Sequence, residues 1–201
     1  MLKQLINIPR EEHFYIACSG GVDSMAIADF YKRGNKSFTL AYFHHATEQA
    51  DKMEAFVRDW ATKNNIPLVV GRLTNEKPKG ASPEDFWRQE RYAFFKTLAG
   101  RIVTCHHMND VAETWIFSAL HGKPKIIAVE NGQVIRPFLL NSKQDLIDWA
   151  VRHDVRWVED ASNKDTNYPR NRIRNNIMSE ALMINPGLFK VLRKKYSGSS
   201  L

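Results

Sequence analysis

Phe14-Tyr15-Ile16-Ala17-Cys18-Ser19-Gly20-Gly21-Val22-Asp23-Ser24 joins an apolar run to a glycine-rich string, and Met25 to Arg33 follows with helical spacing. The apolar run reads as a buried strand, and the next segment as a helix stopped by Gly34. Ser19 to Ser24 is then a strand-to-helix turn. Its glycines let backbone N–H groups turn toward an anion, and the helix N-terminus adds partial positive charge. Ser19 and Ser24 offer hydroxyl donors to phosphate oxygens. An acid inside an anion site calls for a cation, so Asp23 is a candidate Mg²⁺ ligand bridging to a polyphosphate. Ordinary capped turns use the same residue types. The complete Ser-Gly-Gly-x-Asp-Ser string between a strand and a helix favours a phosphate loop made of Ser19, Gly20, Gly21, Val22, Asp23 and Ser24.

The alternation continues outward. Phe38–Phe43, Leu68–Val70, Ile102–Cys105 and Val134-Ile135 read as further strands. Between them lie helical segments. Glu48–Asn64 has apolar spacing at Met53, Phe56, Val57 and Trp60. A second starts at Ser82-Pro83-Glu84-Asp85 and runs to about Leu98, with Ser82 as its cap. Asp110–Leu120 and Ser142–His153 are the others. The pattern predicts an α/β fold: a five-stranded parallel sheet with helices on both faces, plus a short helical C-terminal extension. The expected division is 1–169 for the α/β domain and 170–201 for a basic helical extension. Ligands on such sheets bind at the carboxyl ends of strands, which directs attention to the segments after Cys18, Phe43 and Cys105.

Composition narrows the class. The 201 residues are 43% hydrophobic and 25% charged, which argues against disorder, collagen or coiled coil. No run approaches the roughly 20 apolar residues of a membrane span, and the start has no secretory pattern. Cys18 and Cys105 form no CxxC pair, so they read as buried thiols in a reducing cytoplasm and not as zinc ligands. The net charge is +7. From Arg170 onward stand seven basic residues and one acid, Glu180, so the excess lies almost wholly at the C-terminal end. An anionic partner is expected there.

Three further segments carry ionisable residues in patterned order. Glu84, Arg88 and Arg91 fall on one helical face, which alone suits a solvated ion-pair face. His106-His107-Met108-Asn109-Asp110-Val111-Ala112-Glu113-Thr114 follows the fourth strand, where His, Asp and Glu can move protons, bind metal or simply start a helix. Trp157 to Asp165 and Tyr168 to Arg174 contain Asp160, Ser162, Asn163, Arg170, Asn171 and Arg174. Taken alone, these suit loops and a surface stripe.

Together with the phosphate loop, these segments resemble the tRNA(Ile)-lysidine synthetase family of the PP-loop ATP pyrophosphatases. That family pairs SGGxDS with an ExxxRxxRY helix, HHxxDQxET, an Arg-Pro segment, WxEDxSNxD and RNxIR. Here these are Glu84–Tyr92, His106–Thr114, Arg136–Leu139, Trp157–Asp165 and Arg170–Arg174. Lys143–Leu146 and Asn185-Pro186-Gly187 match as well. The sequence departs from the family at Asn109-Asp110-Val111, and at His44-His45-Ala46-Thr47-Glu48, which lacks the family's Arg. Long members continue into tRNA-gripping domains, and this sequence stops just after the linker begins.

The resemblance implies ATP-dependent ligation. The wobble cytidine of an isoleucine tRNA is adenylated, free lysine attacks, and AMP and pyrophosphate leave. It implies ATP and Mg²⁺ as cofactors, a cytoplasmic location, no membrane partner and room for a homodimer. By the same resemblance, Asp23, Asp110, Glu113, Arg88 and Arg91 are the catalytic candidates, with the arginines meeting phosphate charge or a flipped base. His45 joins the phosphate loop in holding ATP. Glu84, His106, His107, Asp160, Ser162, Asn163, Arg170, Asn171 and Arg174 are the substrate and tRNA candidates. The rival expectations are another PP-loop tRNA-modifying or amide-forming enzyme, and an ATP- or tRNA-binding module that works with a partner chain.

Overall fold

The computed structural model describes residues 2, 5–159 and 169–197, the side chain of Glu84 apart. Six strands form one sheet: β1 His13–Ala17, β2 Ser37–His44, β3 Leu68–Arg72, β4 Ile102–Val103, β5 Glu130–Asn131 and β6 Val134–Ile135. Their order is β3-β2-β1-β4-β6-β5. The first five in that order run parallel, as expected. The sixth is a correction to the five-stranded expectation. β5 pairs antiparallel with β6 across the two-residue turn Gly132-Gln133, where Gly132 takes φ +59. Two residues are too short a run for periodicity to reveal. Arg101 pins this hairpin through Glu130 at 2.9 Å and the Gly132 carbonyl at 2.9 Å.

The helices are α1 Val22–Arg33, α2 Glu48–Lys63, α3 Pro83–Lys96, α4 Met108–Leu120 and α5 Lys143–Arg152. The period of two along β1 sorts them. Phe14, Ile16 and Cys18 face a core with Met25 and Ile27 of α1, Val57 of α2 and Leu146 of α5. Tyr15 and Ala17 face the opposite core with Tyr92, Phe94 and Phe95 of α3. Both faces are therefore covered, and β1 and β2 read as nearly continuous apolar runs for that reason. α1 is buried almost all round because it also packs on α5. Ser82 sits at the α3 N-cap position, but its side chain makes no capping bond; Pro83 supplies the start instead.

The C-terminal segment comprises α6 Pro169–Arg172, a π-helical turn Ile173–Ile177, α7 Met178–Ile184 and α8 Leu188–Ser197. Ile173, Met178, Leu188 and Leu192 share an apolar core with Met108, Val111 and Ala112 of α4. α4 is thus covered on its outer side by the C-terminal helices. Among the described residues, no helix is long and apolar enough to cross a membrane.

The strand order reverses between β1 and β4, because the chain walks from β1 out to β3 before returning. Such a reversal opens a crevice at the carboxyl ends of the two strands. Close helix–sheet approach nearby depends on Gly71 of β3. A Cβ there would stand 2.5 Å from the Phe94 ring. Gly71→Ala should destabilise the fold by about 1–3 kcal/mol through overpacking, measured by urea unfolding. The loss should shrink in a Phe94→Leu background; an undiminished loss would mean the ring is not the obstacle.

Candidate active site

The phosphate loop leaves β1 at Cys18 and enters α1 at Val22. Gly20 takes φ +84, and a Cβ there would lie 3.2 Å from Val57 Cγ2. Both facts require glycine. The buried Ser24 hydroxyl accepts from the Ser19 and Gly20 N–H groups at 3.2 and 3.1 Å and donates to the Gly21 carbonyl at 3.0 Å. Ser24 therefore shapes the loop from inside, and the exposed Ser19 is its outward hydroxyl. Val158 donates its N–H to the Gly20 carbonyl at 3.0 Å, so the chain leading into the Trp157–Asp165 motif is tied to the loop.

Asp23 lies in the crevice. One carboxylate oxygen is buried without a hydrogen-bond partner. The other lies 3.5 Å from His107 Nε2 and 3.7 Å from Lys143 Nζ. An unpartnered buried carboxylate oxygen at a phosphate loop suits Mg²⁺, which binds through one or two carboxylates with phosphates and water completing the shell. Among the described residues no cluster of three or more His, Cys, Asp or Glu could cage a metal alone.

From Asp23 the charges alternate across the crevice. The His107 N–H donates to Asp110 Oδ2 at 2.8 Å, which caps α4, and His107 Nδ1 lies 3.4 Å from the same oxygen. Arg174 reaches in from the π-helical turn. Its Nε and Nη2 donate to the two oxygens of Glu113 at 2.8 and 2.9 Å, and Nη2 lies 3.6 Å from Asp110 Oδ1. Burial opposes charge on His107, yet Asp110 and Asp23 outweigh it and raise its pKa. Burial likewise opposes charge on Asp110, and His107, His106 and Arg174 hold its pKa below 3.8. Glu113 behaves differently. Burial raises its pKa above 4.5, and the Arg174 fork only partly counters this. The bond to Glu113 raises the pKa of Arg174.

His106 precedes His107 at the start of α4 and is half-buried. Its Nδ1 pairs with the Thr104 hydroxyl at 2.9 Å. Burial lowers its pKa to about 4, with Arg136 and Arg91 adding to the shift against the pull of Asp110. Arg88 is exposed and lies 5.3 Å over the Tyr92 ring. His45 is half-buried beside Trp87, ring centres 5.7 Å apart. Arg170 packs 5.7 Å over Phe117, and Asn171 is half-buried next to it. Glu84 lies in the first turn of α3. Asp160, Ser162 and Asn163 lie outside the described residues.

Two side chains join the site without having been singled out as site residues. Lys143 is the first residue of α5, whose Ser142–Asp145 capping box fixes the helix start. Its N–H donates to Asn109 Oδ1 at 2.9 Å, and Met108 N–H donates to the Asn141 carbonyl at 2.7 Å. These bonds tie α5 to α4 and bring Lys143 to Asp23. Its place after a capping Ser was legible, but the tie was not. Arg136 follows β6 and is buried, donating from Nη1 to the Ala128 carbonyl at 2.8 Å and from Nη2 to the Tyr92 hydroxyl at 3.1 Å.

A family model described as a PP-loop domain matches residues 1–181. The chain belongs to the PP-loop family. Curated relatives named tRNA(Ile)-lysidine synthase include one from Exiguobacterium sibiricum, 33% identical over 90% of this chain and 46% of the relative. Another from Streptococcus pyogenes is 32% identical over all of this chain and 48% of the relative. The chain thus spans about half the length of these relatives. Two solved structures share the fold at 12% identity and a TM-score of 0.50. One is an NMN synthetase from Francisella tularensis, covering 73% of this chain and 63% of that one. The other is an NH₃-dependent NAD synthetase from Campylobacter jejuni, covering 95% and 86%.

The charge ladder of this PP-loop site has a direct readout. In histidine Cε1–Hε1 NMR, His106 should titrate near pH 4 and His107 above its ordinary 6.5. Asp110→Asn should bring His107 down; an unchanged His107 would show that the carboxylate does not hold it charged. Linkage sets the stability signs. The raised His107 value contributes stability that is full below about pH 6.5 and is lost as pH rises through the folded value. The lowered Asp110 value contributes stability present above about pH 3.8 and lost as pH falls through the folded value.

Proposed function

We propose that this chain is the catalytic domain of an ATP-dependent tRNA(Ile)-lysidine synthetase. Its reaction adenylates the wobble cytidine of an isoleucine tRNA, joins free lysine to it, and releases AMP and pyrophosphate. The observation that carries the reading is the meeting of two motifs in one crevice: the Asp23 phosphate loop and the Asp110–Glu113 acidic pair, bridged by His107. The names of the relatives supply the tRNA, and the acidic pair fits an amine cosubstrate.

The chemistry sets two demands. The cytosine carbonyl oxygen is a poor leaving group until a phosphoryl group is attached. The phosphate loop places ATP for that attachment, with Lys143 and the α1 N-terminus offering positive charge to the phosphates. Mg²⁺ held by Asp23 would screen phosphate charge and bridge to its oxygens. The exposed Arg88 and Arg172 would meet RNA, whose target base must leave its stack to enter a crevice.

The second demand is a neutral amine. A lysine side chain titrates near 10.4 in water, so its ammonium must lose a proton before attack. Asp110 is the standing anion that orients the ammonium. Glu113, with its raised pKa, is the better proton acceptor of the two. Arg174 now occupies Glu113, so the amine's arrival requires that fork to open or share its acceptor.

Incubation with isoleucine tRNA, ATP, Mg²⁺ and lysine, followed by nucleoside mass spectrometry, should show a cytidine carrying lysine. Unmodified cytidine, alongside an active control enzyme, would sink the reading. Asp23→Asn should slow pyrophosphate release by about 100-fold and raise the Mg²⁺ concentration required. Wild-type turnover in that variant would remove Asp23 from the phosphate machinery.

The basic C-terminal segment fits the tRNA. Removing it is not a clean test, because Leu192 is fully buried against α4. Lys190 and Lys194 are exposed on α8. Replacing both with Glu should weaken tRNA binding and flatten its salt dependence by about one unit of slope per lost phosphate contact. ATP affinity should stay unchanged; an equal loss of both would place these lysines in folding instead.

A further inference from the structure

We propose that His44 is a positioning residue: its ring latches the turn between β2 and α2 in a strained form that sets His45 for ATP. This rests on reading the domain as an ATP-using ligase with His45 in its nucleotide site. His44 is only 5% exposed, so its effect runs through its neighbours.

The strain sits on Ala46. Among the described residues, five that are not glycine take positive φ. Four are Asn or Asp (Asn7, Asn35, Asn65 and Asp154), which tolerate the left-handed region. Ala46, at φ +57, is the exception. It has no side-chain oxygen to bond locally, so its surroundings must hold it there. The Ala46 N–H donates to His44 Nδ1 at 3.0 Å. Nδ1 is therefore the bare nitrogen, and Nε2 carries the hydrogen that meets Asp51 Oδ1 at 2.9 Å. Glu54 Oε2 lies 4.0 Å from the same Nε2, and Glu54 is itself held by Arg58 at 2.6 Å and Arg72 at 2.7 Å. Carboxylates facing Nε2 favour the tautomer that the latch needs. Asp51 belongs to the first turn of α2, so one ring ties the strained residue to the helix that follows it.

What the turn carries links it to the site. His45 stands between the latching ring and the strained residue. Its ring centre lies 5.1 Å from that of Phe43 and 5.7 Å from that of Trp87 on α3. Thr47 then caps α2, accepting from the Ala50 N–H at 3.2 Å. α2 flanks the phosphate loop, since a Cβ on Gly20 would lie 3.2 Å from Val57 Cγ2. Its Gln49 Nε2 donates to the Glu159 carbonyl at 3.3 Å, one residue beyond the Val158 N–H that holds Gly20. Relaxing Ala46 would move His45 off Trp87 and alter how α2 meets the loop. The His44–Ala46 bond thus acts on the nucleotide without touching it.

Calorimetric titration with ATP and Mg²⁺ tests this, with the His45 ring followed by histidine NMR. His44→Leu should weaken ATP binding about 10-fold, the loss expected for one hydrogen bond left unmade, and should move the His45 Cε1–Hε1 signal. Adding Ala46→Gly should recover most of that affinity, because glycine takes positive φ as readily as negative. Ala46→Gly alone should bind ATP as wild type does. Ala46 is exposed, so Ala46→Val should fold. Its branched side chain disfavours positive φ and should weaken ATP binding as His44→Leu does, with His44 intact. That variant carries the test if His44→Leu does not fold. A His44→Leu loss that Ala46→Gly leaves unrepaired would overturn the latch and make His44 a plain core residue. Wild-type ATP affinity in Ala46→Val would overturn it as well. Neither result touches the ligase reading. Failure of wild type itself to bind ATP would overturn that reading and the positioning role together.

Discussion

Hydrogen-bonded adjacency of β1 and β4 is the constraint on which the site depends. The two strands are far apart in sequence and paired through Tyr15–Ile102 and Ile16–Val103. Each ends within a few residues of its motif. That places the loop from Ser19 to Ser24 next to the start of α4, so Asp23 meets His107 although 84 positions separate them. A different strand order would keep every motif and dissolve the site. The covered faces of the sheet enforce the order, since the apolar β1 must sit centrally to bury both of its faces.

Burial of charge then sets the chemistry. Lys143, Asp23, His107, Asp110, Arg174 and Glu113 form a ladder of alternating sign in a place where unpaired ions are expensive. Alternation gives each member a neighbour of opposite sign. At the buried end, burial raises the affinity of Glu113 for a proton despite its arginine. A group in that state suits accepting a proton from an arriving amine.

Much of the scaffold was legible because the signals are local. β1, β2 and the helices α1, α2 and α5 announce themselves by period and by their stops, and Ser19–Ser24 by its composition. β5 was not legible, since a two-residue strand has no period. Ser82 looked like a cap and is one only by position, because a side chain's hydrogen bond cannot be read from its type. Asp23, Asp110 and Glu113 were legible as candidates, but their convergence required the β1–β4 pairing. Lys143 entered through bonds between the starts of α4 and α5. Arg136 stood in a quoted motif, yet its burial against the Ala128 carbonyl and the Tyr92 hydroxyl is a property of three-dimensional packing alone.

The C-terminal segment does more than add charge. Its Ile173, Met178, Leu188 and Leu192 complete the core on which α4 rests, and its Arg174 supplies the counter-ion for Glu113 on that same helix. One segment thus holds α4 in place and neutralises α4's buried acid. Arg174 lies in a π-helical turn, a local widening of the helix that often accompanies functional sites. A substrate amine competing for Glu113 would therefore act on the basic segment itself. Any displacement of Arg174 would be felt along α7 and α8, where the exposed lysines that suit RNA are carried. Under the proposed ligase function, amine binding at Glu113 and RNA contact by this segment would be coupled through the Arg174–Glu113 pair.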